Sequence, residues 1–244
     1  MNRLIRAELL KARANRVTWV LTALAPVMCV AWAALMVLLP EADGALPGRR
    51  AESVYSMAQQ AYVFTLLLGV LGTAGENRHR TITWQFLVSP RRGRVVGAKL
   101  AAYGIVGALI AVLSGLATLA AGLLMMGAAG QEAWSPRAPA VLLGSMLAVT
   151  LYGTFGVALG ALIRNQVAAV AVALVWFMYA DYLLVSFLPD LGRWLPTGAA
   201  RALGGMPLQG SELLPVWGGG LLFAGYVAVI VIAAHALTLR RDIT

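Results

Sequence analysis

Charged side chains are scarce in this sequence: they make up 12% of its 244 residues, whereas a soluble domain carries roughly a quarter. Hydrophobic residues supply 60% of the chain, and the mean hydropathy is +0.79. This composition excludes an ordinary water-soluble globular protein and predicts an all-α integral membrane protein. The length fits a single membrane domain over residues 1–244, without a second globular domain.

Cysteine is almost absent as well. The one cysteine, Cys29, lies within the first apolar run, which excludes an intramolecular disulfide and any multi-cysteine metal site. The net charge is +9, a value that would suggest nucleic acid in a soluble protein. Here the basic residues flank apolar runs, so membrane topology explains them better and no nucleic-acid partner is predicted.

Long apolar stretches are what the sequence does have. A helix needs about 20 apolar residues to cross a bilayer core, and six stretches reach that length. They lie at residues 17–39, 54–75, 100–127, 140–163, 165–188 and 213–239. The first is longer than the ~7–15 residues of a signal-peptide core, so we expect it to be a retained span.

The boundary between the fourth and fifth stretches needs a turn. From residue 138 to 189 the chain is almost continuously apolar, and one straight helix of that length would run ~75 Å, over twice the bilayer core. The polar triplet Arg164-Asn165-Gln166 is the only plausible turning point. The sequence therefore predicts six spans.

Basic residues test that count. With six spans, 14 of the 19 lysines and arginines fall on one side of the membrane, and the other side holds five basic residues against six acids. The positive-inside rule then places both termini in the cytoplasm. The predicted location is the cytoplasmic membrane, which the chain crosses several times.

Small residues recur along two of the spans. Gly69, Gly72 and Gly75 are spaced by three in the second span, and Gly153, Gly156 and Gly160 recur in the fourth. Such stripes let helices approach closely in lipid. We favour packing within the chain over a dimer interface.

Two segments outside the spans invite interpretation. Residues 1–16 predict a short amphipathic helix on the cytoplasmic membrane surface, or else a basic segment that only sets topology. In the loop between Glu76 and Lys99, Thr81 is a suitable N-cap and Pro90 ends a helix of two turns. That helix is apolar on nearly every side, so it must dip into the interface or dock into a partner protein.

These features together resemble the ABC-2 type transporter permeases, particularly the short bacterial six-span subunits that pair with a separate ATPase. The resemblance covers essentially the whole chain and depends on the order of short motifs relative to the spans. The matching motifs are Ala7-Glu8-Leu9-Leu10-Lys11, Gly75-Glu76 before Arg80-Thr81-Ile82, Ser89-Pro90-Arg91-Arg92 with Lys99, Gly156 to Gly160 with Arg164-Asn165-Gln166, and Arg240-Arg241-Asp242-Ile243.

The resemblance implies the membrane half of an ATP-driven exporter: two permease copies, each contacting one ABC ATPase subunit. The loop helix would be the coupling helix between spans two and three. Its implied coupling residues are Glu76, Arg80, Thr81, Ile82, Trp84, Phe86, Leu87, Pro90 and Arg91. Glu8 and Lys11 would belong to the interfacial helix. A GxxxxGK[ST] phosphate loop is missing, so ATP and Mg²⁺ would bind the partner, and this chain would be non-catalytic, with no cofactor or metal site of its own.

Three polar residues lie within the predicted spans or at their ends. Asp181 is the one acid inside a span and is either a functional group or an acid that reaches the outer interface. Glu76 has Arg78, Arg80 or the partner protein as candidate ion-pair partners. His235 is expected at the inner end of the last span.

Two other functional classes compete with the exporter. An ion-coupled transporter or channel usually needs several intramembrane charges, and Asp181 alone is thin support. An intramembrane protease would need Ser145 and His235 together, yet about 17 residues of depth, ~25 Å, separate them. For the exporter, apolar spans weakly favour a hydrophobic or amphipathic cargo.

Overall fold

The computed structural model describes residues 1–39, 49–78, 92–163, 165–180, 183–184, 187–206 and 212–240. All regular structure in these ranges is helical, which confirms the all-α part of the predicted fold class. The helices are α1 (Asn2–Ala14), α2 (Arg16–Leu38), α3 (Arg50–Ser56), α4 (Tyr62–Arg78), α5 (Arg92–Ala128), α6 (Ala138–Leu162), α7 (Gln166–Leu174), α8 (Pro189–Gly192), α9 (Pro196–Gly204) and α10 (Val216–Arg240). A 3₁₀ turn, Met57–Ala61, joins α3 to α4, and a π-helical segment, Val175–Ala180, continues α7.

Five helical stretches in the described ranges are long and apolar enough to cross a membrane. They are Arg16–Leu38, Arg50–Glu76, Gly93–Ala128, Ala138–Leu162 and Val216–Ala236. They coincide with five of the six predicted spans. The remaining predicted span, 165–188, corresponds to an apolar helix over Gln166–Ala180, which is about 22 Å long at 1.5 Å per residue.

Asparagine side chains mark two breaks between helices. Asn15 separates α1 from α2, and its Oδ1 accepts the backbone N–H of Val17 at 3.0 Å. Asn165 separates α6 from α7 and accepts the N–H groups of Val167 (2.9 Å) and Ala168 (3.2 Å). An N-cap of this kind satisfies backbone donors that have no partner in the first helical turn.

Contacts along α4, α6 and α7 fix their relative directions. Early in α4, the Thr65 hydroxyl donates to the Val149 carbonyl of α6 at 2.9 Å, and further along, Val70 lies against Gly160. The two helices therefore run parallel. The Tyr62 hydroxyl, at the start of α4, donates to the Phe177 carbonyl at 3.2 Å, so the chain beyond the break at Asn165 runs back along α4.

Similar contacts fix the directions of α5 and α10. Gly104 of α5 lies beside Thr154 of α6, and Gly115 lies beside Met146, so α5 and α6 are antiparallel. At the far end of α10, the His235 ring packs on Gly93 at the start of α5. We call the end that holds α1, the start of α5 and the end of α10 the α1 end.

The predicted glycine stripes meet inside the chain. A Cβ at Gly69 would collide with Gly153 and Gly156, and a Cβ at Gly156 would collide with the Leu66 carbonyl. Gly160 also packs closely on the backbone of Val70. The preference for intrachain packing over a dimer interface is thus confirmed, and the α4–α6 contact is backbone against backbone.

At the end opposite α1, the short helix α9 is enclosed by the long ones. Ala199 and Ala200 are fully buried, the Leu203 carbonyl packs on Gly144 of α6, and Ala202 packs on Gly219 of α10. Gly205 ends the helix in the left-handed region at φ +67°. This short helix is therefore packed within the bundle rather than on its surface.

Substituting Gly156 with alanine should separate α4 from α6, because the added methyl group meets backbone atoms that cannot rotate away. We expect a loss of stability of about 1–3 kcal/mol, typical of overpacking. Cys29 is the sole cysteine and is fully buried, so its labelling by a thiol-reactive dye on heating reports unfolding.

Gly225→Ala is the matched control, since nothing lies within 4 Å of a Cβ at that position in α10. Its unfolding midpoint should stay the same or rise slightly, because alanine favours helix. Equal losses in the two variants would contradict the proposed packing role of Gly156.

Candidate functional site

Four charged side chains meet at the α1 end of the bundle. Lys99 Nζ lies 2.8 Å from Glu8 Oε2 and 2.7 Å from Glu76 Oε1. Lys11 Nζ lies 2.8 Å from Glu8 Oε1 and 3.2 Å from Glu76 Oε1. Each lysine thus contacts both acids, and we call Glu8, Lys11, Glu76 and Lys99 the charge cluster.

Burial makes the members of this cluster unequal. The side chain of Lys99 is 3% exposed and that of Glu8 is 7% exposed, whereas Lys11 is 47% exposed. An ammonium group as buried as that of Lys99 would be strongly destabilising without opposite charge nearby. The two acids provide that charge, and the cluster is neutral as a whole.

Each member comes from a place where local structure directs it inward. Glu8 and Ala12, one helical turn apart, form the buried face of α1. Glu76 lies near the C-terminal end of α4, where the helix dipole disfavours an acid, so the two lysines offset an unfavourable position. Lys99 is two turns into α5. The cluster therefore joins three elements that are far apart in sequence.

The charges shift the pKa values of the two groups on α1. For Glu8, burial raises the pKa, but the charges of Lys99 and Lys11 outweigh it, and the pKa falls below its ordinary 4.5. For Lys11, burial lowers the pKa, but its bonds and charge interactions with Glu8 and Glu76 raise it above 10.5. Stabilisation by Glu8 is thus complete above pH 4.5 and is lost only as the pH falls through the lower pKa. The stabilisation contributed by Lys11 is complete below pH 10.5.

Tyr103 extends the site into the bundle. It lies one helical turn beyond Lys99 on α5, is 8% exposed, and its ring occupies the space that a side chain at Gly72 would need. Gly75, one turn further along α4, faces the amide of Gln166. The last turns of α4 are therefore held by Tyr103, Gln166 and Lys99 in succession.

The structure brings together three residues that the sequence had singled out, namely Glu8, Lys11 and Glu76. The described partners of Glu76 are Lys11 and Lys99, neither of which was among its expected partners, while Arg80 and the side chain of Arg78 lie outside the described residues. The rarity of lysine was the signal in the sequence that could have pointed to the charge cluster. These are the only two lysines beside 17 arginines, and both lie in the cluster.

Other predicted site residues lie outside the described ranges. They are Arg80, Thr81, Ile82, Trp84, Phe86, Leu87, Pro90, Arg91 and Asp181. The described residues on either side of residues 79–91 are the end of α4 and the start of α5, and each of these helices carries one member of the charge cluster.

Ser145 and His235 lie at opposite ends of the bundle, as expected from their depth. The Ser145 hydroxyl donates to the Gly204 carbonyl at 3.3 Å, near α9, whereas His235 packs on Gly93 at the α1 end. This separation excludes a dyad of Ser145 and His235. Among the described residues, no three His, Cys, Asp or Glu side chains are grouped as a metal site.

Removal of the buried lysine should destabilise the protein far more than removal of the exposed one. Lys99→Met leaves the buried Glu8 and the partly buried Glu76 beside a single lysine, and we expect a loss of about 3–5 kcal/mol. Lys11→Met removes a half-exposed charge and should cost at most about 1 kcal/mol. Labelling of Cys29 during thermal unfolding measures both variants, and similar losses would contradict the assigned asymmetry.

Comparison with known proteins adds the family. A sequence model of a family described as ABC-2 family transporter protein matches residues 4–180, and no curated protein matches the chain. The matched range contains all four members of the charge cluster and extends from α1 into the π-helical segment. It covers well over half of the sequence, and the chain therefore belongs to the ABC-2 transporter family.

Proposed function

We propose that the chain is the permease subunit of an ATP-binding-cassette exporter that moves a hydrophobic or amphipathic cargo outward across the cytoplasmic membrane. The observation that carries this proposal is the charge cluster. It ties α1 to the two helices that flank residues 79–91, where force from an ATPase would enter the membrane domain. Membership of the ABC-2 family supports the same role.

The α1 end faces the cytoplasm in this proposal. The sequence assigns 14 of the 19 basic residues to one side. The described contacts support that grouping, because α1, the start of α5 and the end of α10 lie at one end of the bundle. The positive-inside rule then orients that end inward.

The sixth crossing would be made by residues 165–188. Gln166 lies beside Gly75, near the α1 end, and Phe177 lies level with Tyr62 at the start of α4. Further along the chain, α9 packs near Ser145 at the opposite end. A chain that starts at one end and reaches the other within this stretch accounts for six spans and two cytoplasmic termini.

The coupling helix would be residues 81–89. Its sequence is apolar nearly all round yet too short to span the bilayer, so a groove on an ABC ATPase supplies the burial that it needs. The ATPase would bind ATP and Mg²⁺, since this chain lacks a phosphate loop. Two permeases and two ATPases would form the transporter.

Orientation is tested by single cysteines introduced into a Cys29→Ser background. In intact cells, a membrane-impermeant maleimide should label Glu132→Cys, in the loop between α5 and α6, and Asp190→Cys, in α8. Both positions are exposed, and both would lie outside the cell.

Asn165→Cys, exposed at the break between α6 and α7, is the control on the inner side. It should react only after permeabilisation. Labelling of Asn165→Cys in intact cells would contradict the proposed orientation, and a protected Asp190→Cys would contradict the sixth crossing.

Coupling is tested by the double variant Trp84→Ala/Phe86→Ala. The permease should still insert and fold, but co-purification with its partner ABC ATPase should fall at least tenfold. Stimulation of ATP turnover by the permease should fall with it, because two aromatic side chains of the docking helix are gone.

The matched control is Phe187→Ala/Trp217→Ala, a pair of the same residue types. Phe187 is 79% exposed and Trp217 is 73% exposed, and both lie toward the opposite end. This variant should retain wild-type association. Wild-type association and turnover in Trp84→Ala/Phe86→Ala would refute the docking role of residues 81–89.

A further inference from the structure

The charges of α1 are divided between two faces. Glu8 and Lys11 belong to the charge cluster, whereas Arg3, Arg6 and Arg13 are exposed. Those arginines and Leu10 recur at intervals of three and four residues, so they share one side of the helix. We call Arg3, Arg6, Leu10 and Arg13 the arginine face.

This face carries charge without compensation. Within the described ranges, none of its three arginines forms an ion pair with an acid, since both acids near α1 bind lysines instead. Leu10 lies among the arginines and is 64% exposed. Three cations around one exposed leucine form a surface suited to an anionic amphiphile.

The arginine face adjoins an exposed apolar surface of the bundle. The inner side of α1 packs on the first turns of α5, where Met1 approaches Gly97, so α1 lies at the depth where α5 begins. At the end of the face, the Trp19 indole of α2 donates to the Arg13 carbonyl at 2.8 Å. Trp19 is itself 59% exposed and begins a row of exposed apolar residues along α2, Val20, Leu24, Val27 and Met28.

From this placement we propose that the arginine face binds the phosphate groups of anionic phospholipids in the cytoplasmic leaflet. Arginine guanidinium groups bind phosphate in a two-pronged manner, and Leu10 contacts the upper acyl chains. The inward orientation of the α1 end is taken from the proposed function. An acidic ATPase surface is the less suitable occupant, because the helices flanking residues 79–91 contact the opposite side of α1.

The test uses the full-length permease alone, purified in detergent and titrated with phosphatidylglycerol or phosphatidylcholine under native mass spectrometry. Arg3→Gln/Arg6→Gln should weaken phosphatidylglycerol binding by about fivefold per arginine, so on the order of 25-fold. Phosphatidylcholine binding should not change. In the wild type, raising ammonium acetate tenfold should weaken phosphatidylglycerol binding, because salt screens exposed charges.

Arg49→Gln/Arg137→Gln removes the same charge from exposed positions toward the opposite end and should retain full phosphatidylglycerol binding. The Cys29 labelling assay verifies that both variants are folded. Unchanged phosphatidylglycerol binding in Arg3→Gln/Arg6→Gln, or an equal loss in the control, would overturn the proposal. If Arg3→Gln/Arg6→Gln kept wild-type phosphatidylglycerol binding but no longer co-purified with the ATPase, the proposal would also be overturned, and the ATPase would be the occupant of the arginine face. Because the titration contains no ATPase, its result does not depend on whether the chain is an exporter subunit.

Discussion

A buried ammonium group sets the arrangement of the α1 end. Lys99 is 3% exposed, and a lysine so far from water is tolerated only with acids in direct contact. One of those acids is on α1 and the other is near the end of α4. Because α1 and α4 share the compensation of a single charge, neither can leave α5 without uncovering it. This requirement holds together three elements that hydrophobic packing alone would leave free to slide in lipid.

The glycine contacts give α4 a second, different constraint. Gly69 meets α6 backbone to backbone, and Gly72 makes room for the ring of Tyr103. Close packing therefore fixes the lateral position of α4 along its middle, and the ion pairs fix its end. Shape complementarity resists separation, whereas the ion pairs determine which groups meet. Together they make α4, α6 and the start of α5 a connected unit, which is what a membrane domain needs if it is to transmit a push received beyond Glu76.

Much of the fold could be predicted because lipid imposes simple rules. Five spans followed from apolar length, the break at Asn165 from the excessive length of one apolar run, and close packing of helices within the chain from glycine spacing, although not which helices meet. The Lys99–Glu8 pair could not be predicted, since 91 positions separate the two residues and pairing at that range depends on tertiary packing. In the sequence, both lysines also look like ordinary topology signals, because they flank apolar runs. The enclosed helix α9 could not be predicted, because its small residues suit a loop as well as a packed helix.

The two lysines, similar in chemistry, are suited to different parts in any movement of α1. Lys11 is 47% exposed, so its contacts exchange with water at little cost. Lys99 has no such replacement, since loss of either acid leaves its charge buried. Lys11 is bound to Glu8 within α1, so the contact that it adds between helices is the one to Glu76. The buried Glu8–Lys99 pair is therefore the stronger constraint on α1, and the half-exposed Lys11–Glu76 pair is the weaker one.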